Sequence, residues 1–491
     1  MSQIKKFAGQ AFVYGLSSII PRFLSYLLVP IYARIFLPNE YGVIADLYAI
    51  VAILNIIVTY GMETAFFKFS NQSEFRNVYS TAFFSLLFSS SLFLFLGLIF
   101  NKNIAAFIDY SGNPEYIVYF ILIIFFDAIC AIPFVKLRND NKALKFATLK
   151  ILNVVVNVAL NVVLLIILPW MSGKFHVFHF ELNVKYVFIA NLISSLFVFL
   201  TLIKDFPIKF KFDFRLWKKM MVYAFPLLIA GLAGMINDNI DRQFIKYLSP
   251  VGHDAMSDLG IYFANLKIAV ILVVFTQTFR FAAEPFFFKR QEDKSSKDTL
   301  AQVMKFFILV CLVVVLFTMA NISIFKYYIG EKYWSGLSIV PVVLGANVLV
   351  GVYVNLSIWY KLSGKTMYGV YFIVFGCLLT IILNYFLVPV YGYQAAAYNR
   401  FISYLLMVLL CYWFGTKNYS IPYDVKRIGK YLIIFLVGLF IILFLNSLHL
   451  SFLIVVNNLL LVIFVYWILK SENLWLVTWN YVKNLKKLII K

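Results

Sequence analysis

The sequence predicts an all-α polytopic membrane protein of about fourteen transmembrane helices: two six-helix lobes in a parallel repeat, plus two C-terminal helices. Three observations carry this. Of 491 residues, 63% are hydrophobic and 13% charged, with a mean hydropathy of +0.88, whereas a soluble domain is about half apolar and a quarter charged. The apolar residues fall in runs of about 20 or more, enough to cross a ~30 Å hydrocarbon core as helices. The bases gather in alternate loops.

Taken in order, the runs lie near 8–34, 41–67, 77–100, 115–135, 146–169, 184–203, 218–247, 259–288, 302–325, 336–360, 367–388, 393–414, 431–446 and 451–469. The first is too long for a signal-peptide core and has no small-residue cleavage site after it, so it reads as a retained span. The thirteenth is the shortest. Lys5 and Lys6 precede span one, and every even-numbered loop is basic: Lys136, Arg138, Lys142 and Lys145 after span four, Lys204 through Lys219 after span six, Lys361 and Lys365 after span ten. Lys and Arg are retained on the cytoplasmic side. Both termini are therefore expected in the cytoplasm.

The net charge of +21, from 43 Lys and Arg against 22 Asp and Glu, is thus a topology signal and no argument for a nucleic acid partner. The tail 471–491 mixes Trp475, Trp479 and Tyr481 with Lys483, Lys486 and Lys487, the composition of an interfacial helix. Cys130, Cys311, Cys377 and Cys411 each sit alone in an apolar run, which implies neither a disulfide framework nor a CxxC metal site.

The longest basic link divides the chain into 1–203 and 204–415, with spans thirteen and fourteen (416–470) outside the repeat. The second half echoes the first. Arg34 through Pro38 to Tyr41-Gly42 joins spans one and two, and Arg242 through Pro250 to Leu259-Gly260 joins spans seven and eight. Six spans followed by six in the same orientation form a parallel repeat about the membrane normal.

Enzyme signatures are scarce. Ser363-Gly364-Lys365-Thr366 resembles the end of a phosphate-binding loop, but Trp359 stands where the first Gly belongs. His176 and His179 could share a metal, with only Glu181 near them; surface residues are the better reading. No metal or other cofactor is expected.

What remains is charge inside spans, where a substrate path is to be sought because such charge costs roughly 3 kcal/mol or more. Arg22 follows Pro21 halfway along span one, where snorkelling is hardest. Asp127 lies within span four. Span seven carries Asp238, Asp241 and Arg242, with Asp238 and Arg242 spaced to pair along one face; Lys267 on span eight and Arg400 on span twelve lie at similar depth. This second-half group reads equally as an ion-pair cluster locking its lobe. Glu63, Lys150, Arg280 and Glu284 sit near the ends expected to be cytoplasmic, where long side chains snorkel; Asp241, Arg280 and Glu284 are the gate or structural candidates. Bases at mid-membrane favour an anionic head group, phosphate or pyrophosphate, since guanidinium forks match phosphate oxygens. Asn153, Asn157 and Asn161 share one face of span five; they could line a wet cavity or bond between helices.

Several stretches resemble the Wzx-type polysaccharide flippases of the multidrug/oligosaccharidyl-lipid/polysaccharide exporter superfamily: Arg34 to Gly42, Phe212-Asp213 through Lys218-Lys219 to Phe225-Pro226, Asp241-Arg242 with Leu259 to Tyr262 and Lys267, and Leu383-Asn384 through Pro389 to Gly392 and Ala395. Their order covers nearly the whole chain. The resemblance implies two six-helix lobes with two trailing helices. It also implies export of an undecaprenyl-pyrophosphate-linked oligosaccharide across a bacterial inner membrane, the pyrophosphate held by a cationic cavity. Arg22 would line that cavity with Lys267, Arg400 or Arg242, and Asp127 or Asp238 would couple transport to an ion gradient. Membrane lipids, and a polysaccharide polymerase or glycosyltransferases, are the implied partners. A drug exporter of the superfamily should instead have twelve spans and an acid-lined cavity, and a membrane glycan polymerase or ligase should carry a long outer loop.

Overall fold

A computed structural model describes residues 19–70, 75–175, 180–289, 296–448 and 452–473. Among them every regular element is helical, as a bilayer demands of a chain that must satisfy its own backbone within each span. Twelve of the helices are long and apolar enough to cross a membrane. One of these, Met367–Asn418, breaks at Gly392, which has φ 59° and ψ −145°, and so contains spans eleven and twelve. With that break, spans two to fourteen all find their helices. Span one begins outside the described residues and continues as a helix over 19–26 and Val29–Ile35. His176, His179, His449 and the tail from 474 onward also lie outside the described residues.

Helix ends differ from the apolar runs where polar caps extend them. Span thirteen is the helix Val425–Ser447, six residues longer at its start than its apolar run, because the Asp424 carboxylate accepts the Arg427 backbone N–H at 3.0 Å. An Asp at the N-cap satisfies one of the first orphan donors, so the helix begins among Lys426, Arg427 and Lys430. Asp213 likewise caps Phe214–Leu248. Asp254 caps Ala255–Leu266; the Ser257 hydroxyl, with the backbone N–H groups of Ser257 and Met256, holds its carboxyl below the usual range.

The chain forms two compact units, Met1–Lys267 with Thr366–Asn399, and Ile268–Lys365 with Arg400–Lys491. The second unit joins Ser296–Ala320 to the last two helices through polar pairs. Asn321 and Asn458 exchange side-chain amide bonds at 3.1 and 3.0 Å, and Asn457 donates to Asn446 at 2.9 Å. Glu472 receives Lys305, Arg427 and Tyr431 together. Such interhelical bonds hold spans together where lipid offers no hydrophobic drive.

The first unit is organised by the crossing of Pro38–Thr59 with Ala255–Leu266 near the loop face poor in bases. A Cβ on Gly42 would stand 2.1 Å from the Met256 carbonyl oxygen, and a Cβ on Gly260 would stand 1.9 Å from the Pro38 carbonyl oxygen. The two helices therefore touch backbone to backbone, which only glycine allows. These are the glycines that the repeat places in matching positions. Gly260→Ala should lower the melting temperature of the purified protein, overpacking costing about 1–3 kcal/mol. Gly438→Ala, with nothing within 4 Å of a new Cβ, should leave it unchanged or raise it; equal effects at both sites would contradict the crossing.

Candidate functional site

Beside the crossing, the first unit forms an open cavity of about 430 Å³. The first helix contributes Arg22, Ser25, Tyr26 and Tyr32; Pro38–Thr59 contributes Tyr41, Ile44 and Tyr48. Asn153 and Asn157 come from Ala143–Val162, Asn191 from Lys185–Leu202, Arg242 from Phe214–Leu248, and Phe263 and Lys267 from the eighth span. Three bases line it, and among the described residues no carboxylate does. Lys267 sits where the α-helix Ala255–Leu266 tightens into the 3-10 turn Lys267–Ala269, the kind of irregularity that turns a side chain off the regular helical stripe.

The two inner bases share one aromatic ring. The Lys267 ammonium lies 3.9 Å from the Phe263 centroid and the Arg242 guanidinium 4.8 Å. The ring's negative face offsets part of their desolvation, yet it supplies no net charge. The opposite wall is neutral and polar: the Asn191 amide donates to the Tyr48 hydroxyl at 3.0 Å, and Asn157 reaches Ser194 at 3.5 Å. Asn161 turns from the cavity, accepting the Tyr32 hydroxyl at 2.8 Å and donating to Asn157 at 3.1 Å. The asparagine face of span five thus both lines a cavity and bonds between helices.

The carboxylates predicted nearby are placed otherwise. Asp241 is buried, accepting the Tyr262 hydroxyl across the helix pair and the Arg242 backbone N–H at 2.9 Å. Asp238 is half-buried on the same helix. Asp127 is half-buried beside Ser195 and close to Tyr48 of the cavity wall. Arg400 belongs to the second unit, with its guanidinium 5.9 Å from the Tyr404 ring. Arg280 is exposed on Val270–Lys289. Glu284 is on the same helix, and its side chain lies outside the described ones.

Sequence reasoning missed a second charged cluster in this unit. Asp46 is fully buried and pairs with Lys246 at 2.7 Å. Its carboxylate also accepts the Tyr110 hydroxyl at 2.7 Å and the Gln243 amide. Lys246 donates in turn to the Ile108 carbonyl at 2.6 Å and lies 4.4 Å from the Tyr110 ring centroid. The cluster ties Pro38–Thr59, Phe214–Leu248 and the turn before Glu115–Asn139 together one helical turn beyond the Gly42 crossing. Lys246 was overlooked because a Lys near a helix end ordinarily snorkels. The available signal was Asp46, an acid inside the apolar run 41–67.

Solved structures share this all-helical polytopic bundle. A lipid II flippase MurJ in an inward closed conformation is similar over 94% of this chain and 99% of its own, with 16% identity and a TM-score of 0.70. An inward-facing multidrug resistance MATE family transporter of the MOP superfamily is similar over 86% of this chain and 96% of its own, with 12% identity and a TM-score of 0.61. A MOP superfamily transporter from Pyrococcus furiosus, described as having a binding pocket of reverse polarity, covers 86% and 95% at 13% identity, with a TM-score of 0.54. No curated protein matches the sequence. Residues 7–291, more than half of the chain, match the model of the polysaccharide biosynthesis protein family, and the chain belongs to that family.

Removing one partner of a buried pair leaves an uncompensated charge and costs about 3–5 kcal/mol. Asp46→Ala and Lys246→Ala should each destabilise the protein strongly. The double variant should recover part of the sum, since contacting residues couple. Additive losses in thermal unfolding would show that the two do not act as a pair.

Proposed function

We propose that this protein is a Wzx-type flippase that carries an undecaprenyl-pyrophosphate-linked oligosaccharide from the inner to the outer leaflet of a bacterial inner membrane, with both termini in the cytoplasm. The observation that supports this most is the convergence of Arg22, Arg242 and Lys267 on one cavity, where no carboxylate is among the described lining residues. Bases placed inside a membrane protein are costly, and three of them facing one cavity suit an anionic head group. Pyrophosphate suits it chemically: a guanidinium offers a bidentate fork and an ammonium a point charge. Asn153, Asn157, Asn191 and the tyrosines present donors and acceptors suited to the hydroxyls of the first sugar, while the lipid tail stays in the bilayer.

Transport proceeds by alternating access, the lobes 1–203 and 204–415 rocking about the bound head group. In this reading the Gly42–Gly260 crossing and the Asp46–Lys246 cluster close the outer side, and Arg400 meets the substrate in another state. Asp127, next to Tyr48 on the cavity wall, and Asp238 are the candidate ion-coupling groups. The substrate crosses unchanged, so no catalytic residue is required, and a polysaccharide polymerase or glycosyltransferases would act before or after it. An exporter of cationic drugs would need acids where these bases stand.

Complementation of a flippase-null strain tests the proposal, read as lipid-linked glycan left on the inner leaflet. A charge-assisted hydrogen bond contributes about 1.5–3 kcal/mol. Arg22→Ala and Lys267→Ala should therefore each cut export roughly ten- to a hundredfold at normal protein levels, with Arg22→Lys intermediate. Full export by both alanine variants would exclude the cationic-cavity reading.

A further inference from the structure

A second cavity in the first unit, about 490 Å³, lies among Phe84, Phe88, Phe210, Phe214, Trp217 and Met221. It is apart from the cationic cavity and shares no lining residue with it. One wall is an unusual strap: residues 206–213 run without regular secondary structure between the spans Lys185–Asp205 and Phe214–Leu248. The strap is pinned to Phe75–Ile99. Ser80 Oγ donates to the Lys209 carbonyl at 3.3 Å and accepts the Lys211 N–H at 3.1 Å, while Thr81 Oγ1 accepts the Asp213 N–H at 3.1 Å. At the cavity floor the Trp217 indole donates to Ser85 Oγ at 2.7 Å, and Tyr60 shares that hydroxyl at 2.6 Å.

The strap alternates. Ile208, Phe210, Phe212 and, at the start of the next helix, Phe214 are interleaved with Lys209, Lys211 and Asp213, and Arg215, Lys218 and Lys219 follow. Ile208, Phe210 and Phe214 are 98%, 73% and 64% exposed, which is unstable in water. The nearby acids are already engaged: Asp213 caps its helix through Leu216 N–H, and Asp205 pairs with Lys145 at 2.6 Å. Joining two spans, the strap must lie at a membrane–water boundary, where aromatic side chains enter the acyl region and long basic chains reach the head groups. The charge balance selects the partner. We propose that the strap and this aromatic cavity form a binding site for an anionic phospholipid of the bilayer, one acyl chain entering among the aromatic rings and its phosphate held by Lys209, Lys211 and Arg215. The proposal is independent of what the cationic cavity carries.

Trp217 reports occupancy. The purified protein is placed in vesicles containing either chain-brominated phosphatidylglycerol or chain-brominated phosphatidylcholine, and quenching is compared between the wild type and Trp217→Phe to isolate the Trp217 signal. Phosphatidylglycerol should quench it preferentially, each base contributing roughly fivefold in relative affinity. Lys209→Gln/Lys211→Gln/Arg215→Gln should reduce that preference to near unity, and Phe210→Ala/Phe214→Ala should weaken quenching by both lipids. Equal relative affinities in the wild type, a comparison that needs no variant to fold, would overturn the proposal. So would a preference that the charge variant leaves unmoved. Neither readout involves the lipid-linked substrate, so this test and the complementation test fail separately.

Discussion

The first unit depends on a contact with no side chain in it. Gly42 and Gly260 let two helices meet at backbone distance, and everything around them follows from that approach. Tyr41, next to Gly42, is brought to 5.3 Å from Phe263, whose ring faces both Lys267 and Arg242. A turn further along, the same helix buries Asp46 against Lys246. Separating the helices by the width of one methyl group would disturb the aromatic wall and the ion pair together.

Charge in this unit is divided between two uses. Asp46 and Asp241 are consumed locally, the first by Lys246, Tyr110 and Gln243, the second by Tyr262 and a backbone N–H. These acids could have neutralised the neighbouring bases. Neither lines the cavity, whose wall carries Arg22, Arg242 and Lys267. The field a ligand meets is therefore set as much by where the carboxylates are tied as by where the bases are placed.

The spans were legible because a bilayer imposes one length and one composition, and span thirteen was misjudged only where a cap carried the helix into a basic turn. Arg22, Lys267 and Arg242 stood out because charge in an apolar run is rare. The tyrosines of the cavity did not: Tyr26, Tyr32, Tyr41 and Tyr48 look like core residues in a chain with 32 Tyr, and only packing shows which of them line a cavity. The partner of Asp46 was hidden for a related reason, since Lys246 sits 200 positions away on another helix. The glycines were visible as a repeated pattern, but a pattern does not reveal that its two copies touch.

That contact has a historical reading. Pro38–Thr59 meets Ala255–Leu266 through equivalent positions of the two halves, each glycine facing the strand of backbone that precedes its counterpart. Reciprocity of this kind is the property of an isologous interface, the self-complementary patch of a two-fold dimer. A chain built by joining two copies of such a protomer would inherit the seam ready-made. At that seam a side chain added to either glycine would collide with the backbone of the other helix.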